Sequence, residues 1–142
     1  MARALSTAVV VLVFCLPAFA GEVEAPDFYV GVGYRWDFAN DDSRVAISLA
    51  GAGTRQVAPV LGLYDNKLLL GVGCMCLGTR AELDRAIYGG PMVFWYDDHI
   101  GGGVVLGRHL SREVIIEASY RATSDWAGGA DLVVAYGLDW PW

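Results

Sequence analysis

Long apolar runs are missing. No segment reaches the roughly 20 apolar residues that a membrane-spanning helix needs, although hydrophobic residues make up 55% of the chain. That content is broken into many short runs, which suits strands. Charge is also scarce, at 18% Asp, Glu, Lys and Arg. Basic residues are outnumbered, 10 against 16 acidic, for a net charge of −6. An acidic chain argues against nucleic acid as a partner and against a polybasic membrane-surface anchor. A glycine-rich phosphate loop, a Walker-type lysine and a paired-cysteine metal motif are all absent. No cofactor and no metal is expected. Cysteine occurs 3 times and histidine twice, which leaves little for metal ligation.

What is present begins with a processing signal. Arg3 supplies a positive region, Val9 to Leu16 an apolar region, and Ala18-Phe19-Ala20 a small-x-small cleavage site. Residues 1–20 therefore read as a signal peptide and 21–142 as one domain. Cleavage after Ala20 leaves 122 of 142 residues, and loss of the Arg3 charge takes the net from −6 to −7. An uncleaved N-terminal anchor is the alternative. The apolar stretch is short for that, and its flanks fit a leader. A lipoprotein site at Cys15 is disfavoured by Phe14, where a small residue is normally required.

The rest of the chain is organised around its last stretch, Ala130–Trp142. Its even positions carry Leu132, Val134, Tyr136, Leu138, Trp140 and Trp142, and its odd positions Asp131, Val133, Ala135, Gly137 and Asp139. Side chains alternate between the faces of a strand, so one face is large and apolar and the other small or acidic. Phe28–Phe38 repeats the pattern: Phe28, Val30, Val32, Tyr34, Trp36 and Phe38 against Tyr29, Gly31, Gly33, Arg35 and Asp37. Further strands are expected over Arg44–Ala50, Gln56–Leu63, Lys67–Leu77, Pro91–Asp97, Gly103–Arg108 and Glu113–Thr123. Turns are expected at Asn40–Ser43, Asp65-Asn66, Asp98–Gly102 and His109–Arg112. Gly78–Gly90 reads as a loop with one possible helical turn. If Pro91–Arg108 were one long strand the count would be seven, whereas bacterial single-chain barrels have even counts. The expected fold is therefore all-β, an eight-stranded antiparallel transmembrane β-barrel with up-and-down topology.

Membrane insertion follows from where the bulk sits. A soluble barrel would turn its bulky apolar face inward. Here Trp36, Phe38, Tyr120, Tyr136, Trp140 and Trp142 fall near strand ends, as an interfacial aromatic girdle would place them. The location this implies is the bacterial outer membrane. The partners it implies are outer-membrane lipid (lipopolysaccharide) and, through the C-terminal strand, the barrel-assembly machinery. Closing the barrel pairs the first and last strands, which brings Arg35 towards Asp131. Glu117 and Arg121 lie at similar depth on the penultimate strand. A lumen cluster of Arg35, Glu117, Arg121 and Asp131 is expected, with a structural role, because buried charges must be paired. Cys74 and Cys76 share one face of the predicted fourth strand. A mutual disulfide would be strained there, so both read as small apolar side chains.

Catalysis rests on one resemblance. Ala58-Pro59-Val60, the Gly71-Val72-Gly73 strand followed by Gly78-Thr79-Arg80, and the strand ending near Gly101-Gly102-Gly103 resemble the lipid A deacylase (PagL-like) family, over about two thirds of the chain after the leader. The resemblance implies an eight-stranded barrel that hydrolyses an acyl ester of lipopolysaccharide. It also implies a His-x-Ser pair near the outer end of the penultimate strand. The penultimate strand here, Glu117–Ser124, contains no histidine. The one His-x-Ser is His109-Leu110-Ser111, in the turn before that strand, where Ser and Arg are ordinary turn residues. His99, beside Asp97 and Asp98, reads as a loop residue. Three functions follow, in order: a small non-catalytic outer-membrane barrel, a PagL-like hydrolase using His109 and Ser111, and a secreted soluble barrel binding an apolar ligand. A pore is not expected, since eight strands enclose side chains and little water.

Overall fold

Alternating side chains decide the wall of this molecule, and pairing between the first and last strands closes it. The computed structural model describes residues 24–38, 40–51, 57–64, 67–124, 126–139 and 141. Its strands are β1 (Phe28–Asp37), β2 (Asp42–Gly51), β3 (Val57–Tyr64), β4 (Lys67–Cys74), β5 (Tyr88–Tyr96), β6 (His99–His109), β7 (Val114–Thr123) and β8 (Trp126–Leu138). Each is antiparallel to its sequence neighbours, and β1 pairs with β8, so the sheet is a closed eight-stranded up-and-down barrel. Closure leaves no sheet edge unpaired. The expected leader, Asp65-Asn66, Trp140 and Trp142 lie outside the described residues.

The β5–β6 joint is a hairpin, so eight strands are present and not seven. Tyr96 pairs with His99 across the two-residue turn Asp97-Asp98. Both aspartates have positive φ, 51° and 64°, the backbone of a type I′ turn, whose twist matches that of the flanking strands. Asp tolerates this conformation through its short polar side chain. The turn expected at Asp98–Gly102 is therefore shorter, and β6 begins at His99 rather than Gly103. Other boundaries differ from expectation too. β4 ends at Cys74 rather than Leu77, β5 starts at Tyr88 rather than Pro91, and β8 starts at Trp126 rather than Ala130. In each case a neighbouring strand continues the ladder or stops supplying partners, which local composition does not report.

The faces follow the parity of β1 and β8. Val30, Val32, Tyr34, Val134, Tyr136 and Leu138 are exposed on the outside. Tyr29, Arg35, Asp131, Val133 and Ala135 are buried within. The interior is less polar than β1, β7 and β8 alone imply. Ala46, Val60, Leu69, Met92, Phe94 and Val105 pack into one apolar cluster on the side of β2 to β6. Buried Arg35, Arg121 and Asp131 occupy the side formed by β7, β8 and β1, and Arg108 on β6 is buried as well.

Because the strand count is even, the start of β1 and the end of β8 lie at one end of the barrel, called here the terminal end. The connections at the opposite end are tight. At the terminal end the 75–87 connection turns into the barrel mouth. Its Met75, Thr79, Arg80 and Leu83 are buried. A bridge between Gly78 and Gly89 holds its base. The Glu82 carboxylate accepts from the Thr79 amide at 2.7 Å, half of a capping box around one turn.

An eight-stranded wall curves tightly, and two glycines show what that requires. A Cβ at Gly33 on β1 would collide with the Leu132 carbonyl and stand 2.6 Å from Val133 Cα on β8. At Gly102, on the outer face of β6, a Cβ would meet nothing closer than the Met92 carbonyl at 3.8 Å. Gly33→Val should therefore break the closing seam at a cost of about 3 kcal/mol, the upper end for overpacking. Gly102→Val should be tolerated. Thermal unfolding of the two variants, followed by circular dichroism in detergent, checks this. Equal midpoints would contradict the seam geometry.

Candidate functional site

Register places the charged residues before any side chain chooses a partner. Arg35 on β1 and Ser119 on β7 both stand opposite Asp131 on β8. All three side chains point inward and are buried. The Asp131 carboxylate lies 3.7 Å from Arg35 Nε and 3.4 Å from Arg121 Nη1. The Ser119 hydroxyl donates to its Oδ2 at 3.1 Å. The Arg35 guanidinium also sits 5.5 Å from the Tyr96 ring centre, within cation–π range. One carboxylate thus joins three strands where the barrel closes.

Glu117 belongs to a second group. It stands on the same face of β7 as Ser119 and Arg121 but nearer the terminal end. Its Oε1 accepts from Arg80 Nε at 2.6 Å and from the Tyr88 hydroxyl at 2.9 Å. The expected four-residue cluster is thus two tiers, because the 75–87 connection delivers an arginine that strand parity could not reveal. Arg80 is 2% exposed, and its guanidinium lies 5.8 Å from the Tyr88 ring centre. Gly107, opposite Glu117 in register, makes room for that ring: a Cβ there would stand 2.5 Å from the Tyr88 hydroxyl oxygen. Arg80 and Tyr88 are the site residues that sequence reasoning missed. Arg80 and Tyr88 both lay in Gly78–Gly90, read as a loop with one possible helical turn.

The tiers are separated by a cavity of about 10 Å³ bordered by Arg80, Glu117, Ser119, Arg121 and Met92. That is room for about one water molecule, and none for an acyl chain or a sugar. Arg80 Nη1 and Thr79 Oγ1 are buried without a hydrogen-bond partner among the described residues. A single bridging water is the usual way such atoms are satisfied.

His109 and Ser111 are not hydrogen-bonded to each other. His109 ends β6 with its ring inside the barrel, 5.2 Å from the Tyr88 ring and 6.3 Å from the Tyr29 ring. Neither of its ring nitrogens has a hydrogen-bond partner among the described residues. Ser111 instead accepts the Val114 amide at 3.1 Å, as a turn residue does. A serine nucleophile needs a base within hydrogen-bond reach, and the Ser111 hydroxyl is here engaged with the Val114 amide. His99 sits at the tight-turn end, its Nδ1 2.7 Å from the Asp97 carbonyl oxygen. Among the described residues no three metal-ligating side chains converge.

Four aromatic residues of β1 and β7 and the turn after β1 lie towards the tight-turn end. Phe38 and Tyr120 are exposed and stacked, with ring centres 6.2 Å apart. Tyr34 and Trp36 are tilted against each other at 6.0 Å. Tyr136 is exposed towards the terminal end.

No protein-family model matches the chain. No curated protein matches it either. Among solved structures, the solution NMR structure of the de novo designed TMB2.3, a transmembrane β-barrel, is similar to it. The TM-score is 0.52 at 13% sequence identity, covering 84% of this chain and 99% of that one. At that identity the likeness concerns the fold alone: a small eight-stranded barrel resembling a designed transmembrane barrel.

Two substitutions separate the tiers. Arg80→Ala leaves the Glu117 carboxylate buried without its cation and should cost about 3–5 kcal/mol, with the Arg80→Ala/Glu117→Gln pair recovering part of it. Arg35→Glu sets a carboxylate against Asp131 and should lower stability by a similar amount. Denaturant unfolding in detergent micelles measures both. An unchanged midpoint in Arg35→Glu would show that the closing-seam pairs carry no stability.

Proposed function

We propose that this protein is a small, non-catalytic outer-membrane β-barrel that supports membrane integrity or surface interactions. One observation carries the reading: the chain is inverted relative to a water-soluble domain. Ile100, Val93, Val45 and Val32 are 73, 61, 60 and 59% exposed on the outer wall. Arg35, Arg121 and Asp131 are buried inside. Contiguous apolar surface of this kind needs a cover, and around a closed barrel lipid is that cover. The exposed aromatics at the tight-turn end suit a membrane interface.

The leader expected over residues 1–20 supports export, and an even-stranded barrel would then keep both termini on the periplasmic side. Lipopolysaccharide would contact the opposite end and the upper wall. The barrel-assembly machinery would engage the C-terminal strand. The packed interior and the unassembled His109 and Ser111 support a role without hydrolysis and without conduction.

Cell fractionation and gel mobility test this together. The protein should sediment with outer membranes, resist extraction by carbonate, and run at different apparent sizes when boiled and unboiled. Lipid A from expressing cells should keep its acylation by mass spectrometry. Recovery as a soluble periplasmic protein without detergent would favour the secreted ligand-binding barrel instead. Loss of an acyl chain, abolished by Ser111→Ala, would favour the hydrolase.

A further inference from the structure

The two cysteines left after the expected leader stand at a place where the chain stops being a strand. β4 ends at Cys74, and the next residues enter the 75–87 connection. The Cys76 amide donates to the Cys74 carbonyl at 2.9 Å. An amide bonded two residues back closes a γ-turn centred on Met75. Met75 is not among the non-glycine residues with positive φ, so the turn is of the common inverse form. This changes the geometry between the cysteines. In a regular strand, positions i and i+2 are about 6.6–6.8 Å apart, at the far limit for a disulfide. A γ-turn draws them closer.

The side chains are arranged accordingly. Met75 is 2% exposed and points into the barrel. Cys74 and Cys76, on either side of it, are both exposed and both free thiols. Below them Gly90 on β5 leaves the space open: a Cβ there would stand 2.8 Å from Cys76 Sγ and collide with the Cys74 carbonyl. Gly90 also has φ of 156°, at the edge of the region where side chains are disfavoured. Both thiols are therefore exposed on either side of the buried Met75, across one closed turn at the terminal rim of the barrel.

We propose that Cys74-Met75-Cys76 is a dithiol site for thiol–disulfide exchange, taking a disulfide oxidant as its substrate. One cysteine thiolate attacks a sulfur of the oxidant disulfide. A mixed disulfide forms and the oxidant's first thiolate leaves. The second cysteine then attacks the protein sulfur of that mixed disulfide. The Cys74–Cys76 bond forms and the oxidant's second thiol leaves. Two electrons and two protons pass from the protein to the oxidant, which is reduced to two thiols. The ring so closed contains only one intervening residue, so its bond is strained and readily reduced again, as regulatory and catalytic disulfides are. The site lies at the hinge between β4 and the segment that carries Arg80 into the lumen, and its chemistry is independent of whether the barrel is catalytic.

Oxidised glutathione serves as the probe. The folded full chain in detergent is equilibrated with it, alkylated, digested with trypsin and read by mass spectrometry. Cleavage after Lys67 and Arg80 leaves both cysteines in one peptide, Leu68–Arg80. The expected result is loss of two hydrogens from that peptide, loss of both alkylation sites together, and full reversal by reduced glutathione. Cys74→Ser and Cys76→Ser should each convert this product to a stable glutathione adduct on the remaining thiol. Two independent glutathione adducts in the wild-type peptide would overturn the proposal, and so would disulfide-linked dimers without an internal bond. Outer-membrane sedimentation of the same variants reports separately on the barrel's location.

Discussion

Asp131 is the point on which closure depends. A barrel of eight strands has no chain continuity between its first and last strands. Something other than a turn must set their register. Hydrogen bonds between backbones fit any register equally, and a shift by one residue would turn every side chain to the other face. A buried carboxylate held by Arg35 on one side and by Ser119 and Arg121 on the other does not tolerate such a shift. Removing it from its partners would strand charge in a poorly solvated interior. The ion pairs therefore contribute to choosing the register as much as to stability, in keeping with the best-attested use of buried polar groups.

The second tier follows from a different constraint. An eight-stranded wall leaves an open mouth at each end. At one end the connections are too short to cover it, and charged side chains such as Lys67 and Asp97 pair at the rim at 2.5 Å. At the other end the 75–87 connection folds inward, and Arg80 meets Glu117 and Tyr88. The long connection lies on the side of the chain termini, whereas membrane barrels of bacteria usually keep their longer loops on the other side. The interior is thus plugged from the terminal side by the chain's own residues. Apolar packing by Leu69, Met92 and Phe94 fills the remainder.

The parity of β1, β7 and β8 was legible because each has long, regular alternation, and one outward residue in error would have broken it. Asp131 facing Arg35 followed from closure alone. Glu117 and Arg121 do border one cavity, but the hydrogen bonds of Glu117 go to Arg80 and Tyr88, since a strand position says which way a side chain points and nothing about what another segment brings to it. Leu69, Met92 and Phe94 were equally hard to see. Their strands are short and nearly all apolar, so composition does not distinguish inside from outside. Gly101 and Gly102 fell in the expected turn, but Gly101 serves close approach within the sheet, where a Cβ would stand 2.5 Å from the Phe94 ring.

By itself the sequence determined the class of fold, the number of strands and the face each terminal strand turns outward. These depend on period-two alternation and on turn-forming residues, which are local properties. Only the tertiary structure decided that Arg80 enters the lumen, that the charges divide into two tiers, that the His109 ring packs against Tyr88 and Tyr29, and that a γ-turn ends β4 between two cysteines. Those outcomes depend on contacts between segments far apart in the chain. Such contacts are settled by barrel curvature, register and the space that individual glycines leave, and no local pattern encodes them.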